Sequence, residues 1–347
     1  KIALFRNASF AIKEMIIDGE KIEPSLEYNF ASIGEHIIYV LLDISKTNSL
    51  HGMFSGITKL TSVFFSSLFD TQNIQLMDNL FYGASSLSYI DFSNFKTEKV
   101  INMDNMFLGC SSLISLDLSS FNIKNVKFMD KMFSGCKSLT SLDLSNFDTP
   151  NLTKMSYMFS GCSSLKKIVL SNFNTELVTD MEGLFFNCFS LKSIDLSHFN
   201  TKYVVNMGSM FYKCNELTSI NLSNFNTNKV LNMENMFYSC NSLALLDISK
   251  FNTQKVKMMS NMFYECSSIT SLNLSNFDTE NVKNMNEMFY GCSHLNNLDI
   301  SSFKYSYSSK ISILSNNSPT GRIKVNDKFL LNIKEEIPST WDVIIVS

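Results

Sequence analysis

The stretch VKFMDKMFSGCKSLTSLDLSNFDTPN, Val126 to Asn151, decides the fold, because its text returns along most of the chain. Eight cysteines, Cys110, Cys136, Cys162, Cys188, Cys214, Cys240, Cys266 and Cys292, follow one another at intervals of 26 residues. Phe81, Phe107, Phe133, Phe159, Phe185, Phe211, Phe237, Phe263 and Phe289 keep the same period, and Phe54 precedes the first by 27 residues. Such regularity means tandem repeats, here ten coils, with one extra residue near Phe64 to Phe69. A unit this short cannot enclose its own Met, Phe and Leu side chains. Stacking units in register can, and the expected product is a solenoid.

Within a unit, Val126, Met129, Met132, Phe133 and Cys136 fall at i, i+3, i+6, i+7 and i+10, the spacing of one face of a short helix. Gly135 reads as a left-handed helix stop, repeated at Gly83, Gly109, Gly161 and Gly291 and replaced by Asn187, Lys213, Ser239 and Glu265. Thr149 followed by Pro150 reads as an N-cap and first-turn pair. In Leu139-x-x-Leu142-x-Leu144 the period changes to two, which predicts a short strand. The expected fold class is an α/β solenoid of leucine-rich-repeat type. It has a parallel sheet on one face and short helices on the other, with methionine thioethers filling gaps between coils.

Three segments follow: an N-terminal β-cap over 1–49, the solenoid over 50–302 and a mixed C-terminal cap over 303–347. Asp18-Gly19 signals a hairpin in the first, and Ser32-Ile33-Gly34 separates two apolar runs. The last contains the apolar runs Ile323 to Val325 and Val343 to Val346. Asp327 to Glu336 reads as a helix stopped by Pro338, and Trp341 as the residue that closes the final coil.

The L-x-x-L-x-L strand is that of leucine-rich repeats, and M-x-x-M-F-x-G-C-x-S-L-x-x-L-D-L-S-x-F-x-T, preserved in Met155 to Thr175 with Ile168-Val169 for Leu-Asp, resembles the repeat of BspA-like bacterial surface proteins. The resemblance covers residues 50 to 302. It implies an extracellular or cell-surface protein that adheres to a protein or glycan ligand on another cell or matrix. The alternative is a structural protein that assembles with itself into a surface fibre or coat.

The residues themselves offer little chemistry. His36, His51, His198 and His294 form no spaced ligand set, and the cysteines lie too far apart for a zinc knuckle. Twelve glycines form no phosphate cradle and no nucleophile elbow. No enzyme activity, metal or cofactor is therefore expected. Cysteines in one ladder do not aim their Cβ atoms at each other, so they are expected as reduced, buried thiols. Balanced charge, 29 basic against 32 acidic residues, leaves no footprint for nucleic acid. No apolar run is long enough to cross a bilayer, and a start at Lys1 leaves room for a leader upstream.

Binding is expected on the outward side of the sheet. Strand alternation turns Leu142 and Leu144 in and Ser141, Asp143 and Ser145 out. The central outward column reads Asp91, Asp117, Asp143, Val169, Asp195, Asn221, Asp247, Asn273 and Asp299. Its six aspartates form a solvated face that keeps the sheet soluble, an acidic track for a basic or polar partner, or a cation-binding surface. Stacked carboxylates about 5 Å apart repel by roughly 0.8 kcal/mol in water, which demands exposure. Departures from the repeat text are drift at tolerant positions or, alternatively, a local contact spot: Tyr89 and Leu245 in the Ser column, and Lys166-Lys167-Ile168-Val169 in coil five, with His198 and Lys250 beyond the strand. Sequons at Asn7, Asn151, Asn221, Asn273 and Asn316 are glycosylation candidates in a eukaryotic secretory pathway.

Overall fold

The computed structural model describes residues 2–6, 10–304, 312–315 and 317–346. The N-terminal cap contains β1 (Ile2–Ala3), β2 (Ala11–Ile17), β3 (Glu20–Ile22), β4 (Glu27–Tyr28) and β5 (Ile38–Asp43). The order β3-β2-β5 is antiparallel, and β1 pairs with β4. Asp18 and Gly19 both take positive φ, 52° and 89°, and make the two-residue hairpin that their sequence predicts.

Eight of the ten coils contribute one short strand, and the third and eighth contribute none: β6 (Ser62–Phe64), β7 (Tyr89–Asp91), β8 (Ser141–Asp143), β9 (Lys167–Val169), β10 (Ser193–Asp195), β11 (Ser219–Asn221), β12 (Ser271–Asn273) and β13 (Asn297–Ile300). The C-terminal cap adds β14 (Gly321–Asn326), α1 (Asp327–Ile333) and β15 (Trp341–Val346). All pairings from β6 onward are parallel. The regular ladder is interrupted, however, giving β6-β7, β8-β9, β10-β11 and β12-β13-β14-β15.

The solenoid stands, but the expected helices of its other face are replaced by successive turns. In coil four the N–H groups of Met129, Lys131, Phe133 and Gly135 donate to the carbonyls of Lys154, Ser156, Met158 and Ser160 in the next coil, at 2.7–3.0 Å. The intervening Met132, Ser134 and Cys136 close turns on Met129, Lys131 and Phe133. Bridges from Ser49 to Leu76 and onward to Asn284 carry this second ladder past every coil. An α-helix is about 10 Å wide, whereas hydrogen-bonded backbones lie about 4.8 Å apart, so helices cannot stack at this spacing. Gly135 is accordingly no helix stop. It has φ 73° inside a turn, where a Cβ would lie 3.4 Å from Gly109 of the preceding coil.

The Phe column is buried throughout and stacks ring on ring, for example Phe133 on Phe159 at 5.7 Å and 3°. All eight cysteines are free and buried. The Thr149 hydroxyl is buried, and the N-cap expected of it is corrected. It donates to Asn174 O at 3.0 Å and accepts from Asn174 N–H at 2.8 Å, stitching one coil to the next. Thr97, Thr175, Thr201, Thr227 and Thr279 do the same, and Ile123 interrupts the column. The extra residue falls within Ser66–Leu68, since Phe65 stacks on Phe92 but Phe69 meets Phe95. At the far end α1 is capped by Asn326, whose side chain accepts from Phe329 N–H, and Trp341 is buried, donating from Nε1 to Ser318 O at 2.9 Å.

Candidate binding face

The outward lanes of the sheet follow from register. Ser62 pairs with Tyr89 and Phe64 with Asp91, and Ser141 pairs with Lys167 and Asp143 with Val169. Strand alternation sends these side chains to solvent while Val63, Ile90 and Leu142 enter the core.

Asp91, Asp117, Asp143, Asp195, Asp247 and Asp299 lie in one column, and each Oδ1 accepts the backbone N–H of the Ser two residues on, at 2.9–3.0 Å. Asn221 and Asn273 make the same bond to Ser223 and Ser275 at 3.1 Å. This is an Asx turn that releases the chain from the strand, and it requires only an acceptor oxygen. Acid and amide both meet that requirement and both occur in the column. Accepted hydrogen bonds hold the carboxyls below their usual range, from backbone N–H first at Asp91 and Asp117 and from the Ser hydroxyl first at Asp143, Asp195 and Asp247. At Asp299 burial pushes upward. The bonds from Ser301 and from Lys324 Nζ, 3.2 Å away, outweigh it.

The other repeated polar side chains are committed to neighbouring coils as well. Asn146 donates to Leu118 O and Phe121 O, and Asn276 to Ile248 O and Phe251 O. Each Cys thiol donates to the carbonyl of a Phe in the preceding coil at 3.0–3.3 Å. Burial pushes the Cys162 thiol up to about 12.

What remains on the face is the text that departs from the repeat. Phe64 is 70% exposed and Tyr89 49%, with ring centroids 5.2 Å apart. Ile114, 58% exposed, follows in the third coil. Lys166, Lys167 and Lys192 are exposed in coils five and six, and Leu245 is exposed further on. Asn221 and Asn273 are exposed on this face, and Asn151 is exposed on the turn side with its amide donating to Lys124 O at 2.8 Å. The sequons at Asn7 and Asn316 lie outside the described residues.

Two features of the turn face escape the sequence reading. Phe186, Tyr212, Tyr238, Tyr264 and Tyr290 form a surface stack at 4.4–4.7 Å, and their 26-residue spacing could have announced it. A shallow depression nearby is lined by Asp104, Asp130, Tyr157 and Asp180. Its carboxylates serve the backbone: Asp104 Oδ1 accepts from Asp130 N–H at 2.7 Å and Asp130 Oδ1 from Ser156 N–H at 2.8 Å. Burial raises Asp104 to about 6. Among the described residues no group of three or more His, Cys, Asp or Glu is arranged to hold a metal ion, and no helix is long and apolar enough to cross a membrane.

Comparison with solved structures places the chain beside a leucine-rich repeat protein from Bacteroides ovatus ATCC 8483. That protein is 18% identical, with 86% of each chain covered and a TM-score of 0.38. A leucine-rich cell surface protein from Faecalibacterium prausnitzii A2-165 is 18% identical over 82% of this chain and 89% of its own, at 0.31. A TLR13–ssRNA13 complex matches at 18% identity over 80% of this chain and 42% of that one, at 0.33. These scores are too low for residue-level comparison. No curated protein sequence matches the chain. One family model matches residues 47–169, 128–245 and 215–322, in overlapping blocks that together span most of the repeats. The chain therefore belongs to the family described as Mycoplasma protein of unknown function, DUF285.

Proposed function

We propose that this chain is a non-enzymatic binding protein of the cell surface or extracellular space, resembling BspA-like adhesins, that presents its sheet face to a protein or glycan on another cell or matrix. One observation carries this reading. The repeated Asp, Asn, Thr and Cys side chains are engaged in turns and inter-coil bonds, whereas the exposed Phe64, Tyr89, Ile114, Lys167 and Leu245 serve no stacking purpose and gather on one face. The test is binding of the whole chain to arrayed matrix proteins and glycans, with sheet-face variants set against turn-face variants of Tyr212 and Tyr264. Loss confined to the sheet-face variants is expected. Binding that survives them all would refute the reading.

A second reading, end-to-end assembly into a fibre or coat, draws on β15. Among the described residues this strand pairs only with β14, and Val343, Ile344 and Ile345 are exposed along it. An open apolar strand edge is a template for further pairing. Light scattering that shows oligomers in wild type but monomers in Ile344→Lys would support it, and a concentration-independent monomer would refute it.

A further inference from the structure

The departures from the repeat on the sheet face are of two chemical kinds, and the register places one kind beside the other. The apolar kind comes first: Phe64 and Tyr89 with ring centroids 5.2 Å apart, then Ile114, 58% exposed. The same columns carry Ser115, Ser141, Ser193, Thr140 and Asp143 in later coils, so the fold does not require apolar groups there. The basic kind follows. Lys166, Lys167 and Lys192 are exposed, none forms an ion pair among the described residues, and Val169 removes the carboxylate that coil five would otherwise present beside them.

We propose that the N-terminal half of the sheet face takes a protein segment bearing an apolar side chain and, about three residues away, one or more carboxylates. This rests on the sheet-face reading above and names its partner class. Coils lie about 4.8 Å apart, so Ile114 and Lys166, two coils apart, are separated by about 10 Å, the reach of about three extended residues. The aromatic pair supplies a stacking anchor, and the lysines supply charge complementarity beside it. A single-stranded nucleic acid could stack on Tyr89 and meet the same lysines. Its phosphates would have to run alongside Asp91, Asp117 and Asp143, which line the neighbouring column. A peptide can be neutral there.

The test pans a phage-displayed library of random dodecapeptides against the whole chain. Selected peptides are then measured against two variants that restore repeat text: Phe64→Asp/Tyr89→Ser/Ile114→Thr, and Lys166→Thr/Lys167→Ser/Lys192→Thr. Ala244→Thr, an exposed position of coil eight, serves as the control. Because each change restores a residue the stack already uses, melting temperatures should match wild type. The expected result is enrichment of peptides with an aromatic or aliphatic residue near Asp or Glu, weakened at least about tenfold by each triple variant, unaffected by the control, and weakened by salt. Failure to enrich, peptides without acids, or wild-type affinity retained by either triple variant overturns the proposal. If the selected peptides are instead lost on the Asp195→Asn/Asp247→Asn/Asp299→Asn chain, the sheet-face reading survives and the proposal does not. If no sheet-face variant affects any peptide, both fail. Tighter binding of labelled oligouridylate with the same variant sensitivity overturns it in favour of nucleic acid.

Discussion

The thiol of Cys136 donates to the carbonyl oxygen of Phe107, 3.3 Å away in the preceding coil, and that same oxygen closes the turn on Cys110 N–H at 3.0 Å. A carbonyl has two lone pairs, and in this column both are used. Cysteine recurs because its side chain is apolar enough for the core and still offers a hydrogen. Replacing Cys162 with Ala should therefore cost about 1 to 2 kcal/mol, from a lost bond and a small cavity. The native chain should resist alkylation at mild alkaline pH, since burial holds Cys162 at about 12, while thiol titration in denaturant should recover eight thiols.

Phe159 lies between Phe133 at 5.7 Å and Phe185 at 5.4 Å, with no solvent exposure. Phe159→Ala should cost about 3 to 5 kcal/mol in urea unfolding, because neighbouring coils pinned by two ladders cannot collapse into the cavity. A wild-type midpoint would contradict the stacked core.

Ile123, buried in the core, stands where other coils carry the stitching Thr, so in Ile123→Thr lost apolar burial offsets the gained bonds and stability should change by less than about 1 kcal/mol. Thr201→Val is the converse. It strips Asn226 N–H and C=O of their partner and should lower stability by about 1 to 3 kcal/mol. Thermal melts should show a clear loss for Thr201→Val and only a small shift for Ile123→Thr.

The aspartate column separates two roles by choice of substitution. Asp195→Asn/Asp247→Asn/Asp299→Asn keeps the Oδ1 acceptor of each Asx turn and should leave the melting temperature within a few degrees, whereas the triple Ala chain should melt clearly lower. An amide chain that folds but no longer binds a basic partner would identify the charges as contacts, and unchanged binding would remove them from the site.

Stability should peak in mildly acidic solution. Burial raises Asp104 to about 6, so folding takes up a proton there, and the associated stability is lost as pH rises through 6. The sheet-face aspartates are shifted the other way, and their contribution is lost as pH falls below the ordinary carboxylate value of about 4. His36, raised chiefly by its bond to Asp18, adds to the upper limb. Asp104→Asn retains an acceptor for Asp130 N–H and should flatten the melting-temperature rise between pH 7.5 and 5.5 without moving the acid limb. An unchanged profile would assign that rise elsewhere.

The sequence by itself determined the period, the number of coils, the buried Phe, Met, Cys and Leu columns, and the faces to which the strand residues point. Each of these needs only repetition and alternation. It also announced the odd residues, Tyr89 and Lys167, because a repeat makes every departure visible. Tertiary structure decided the rest. Apolar residues at i, i+3 and i+7 suit a helix, but they equally suit consecutive turns, and the choice falls to turns because each coil must meet its neighbours at hydrogen-bonding distance on both faces. A second left-handed column, with Asn79, Asn105, Asn235 and Asn261 at φ 56–58°, was the local sign of those turns. The tasks of Thr149, Asp143 and Cys136 could not be read from one coil, since each is set by backbone geometry, and two of the three depend on atoms 25 or 29 residues away.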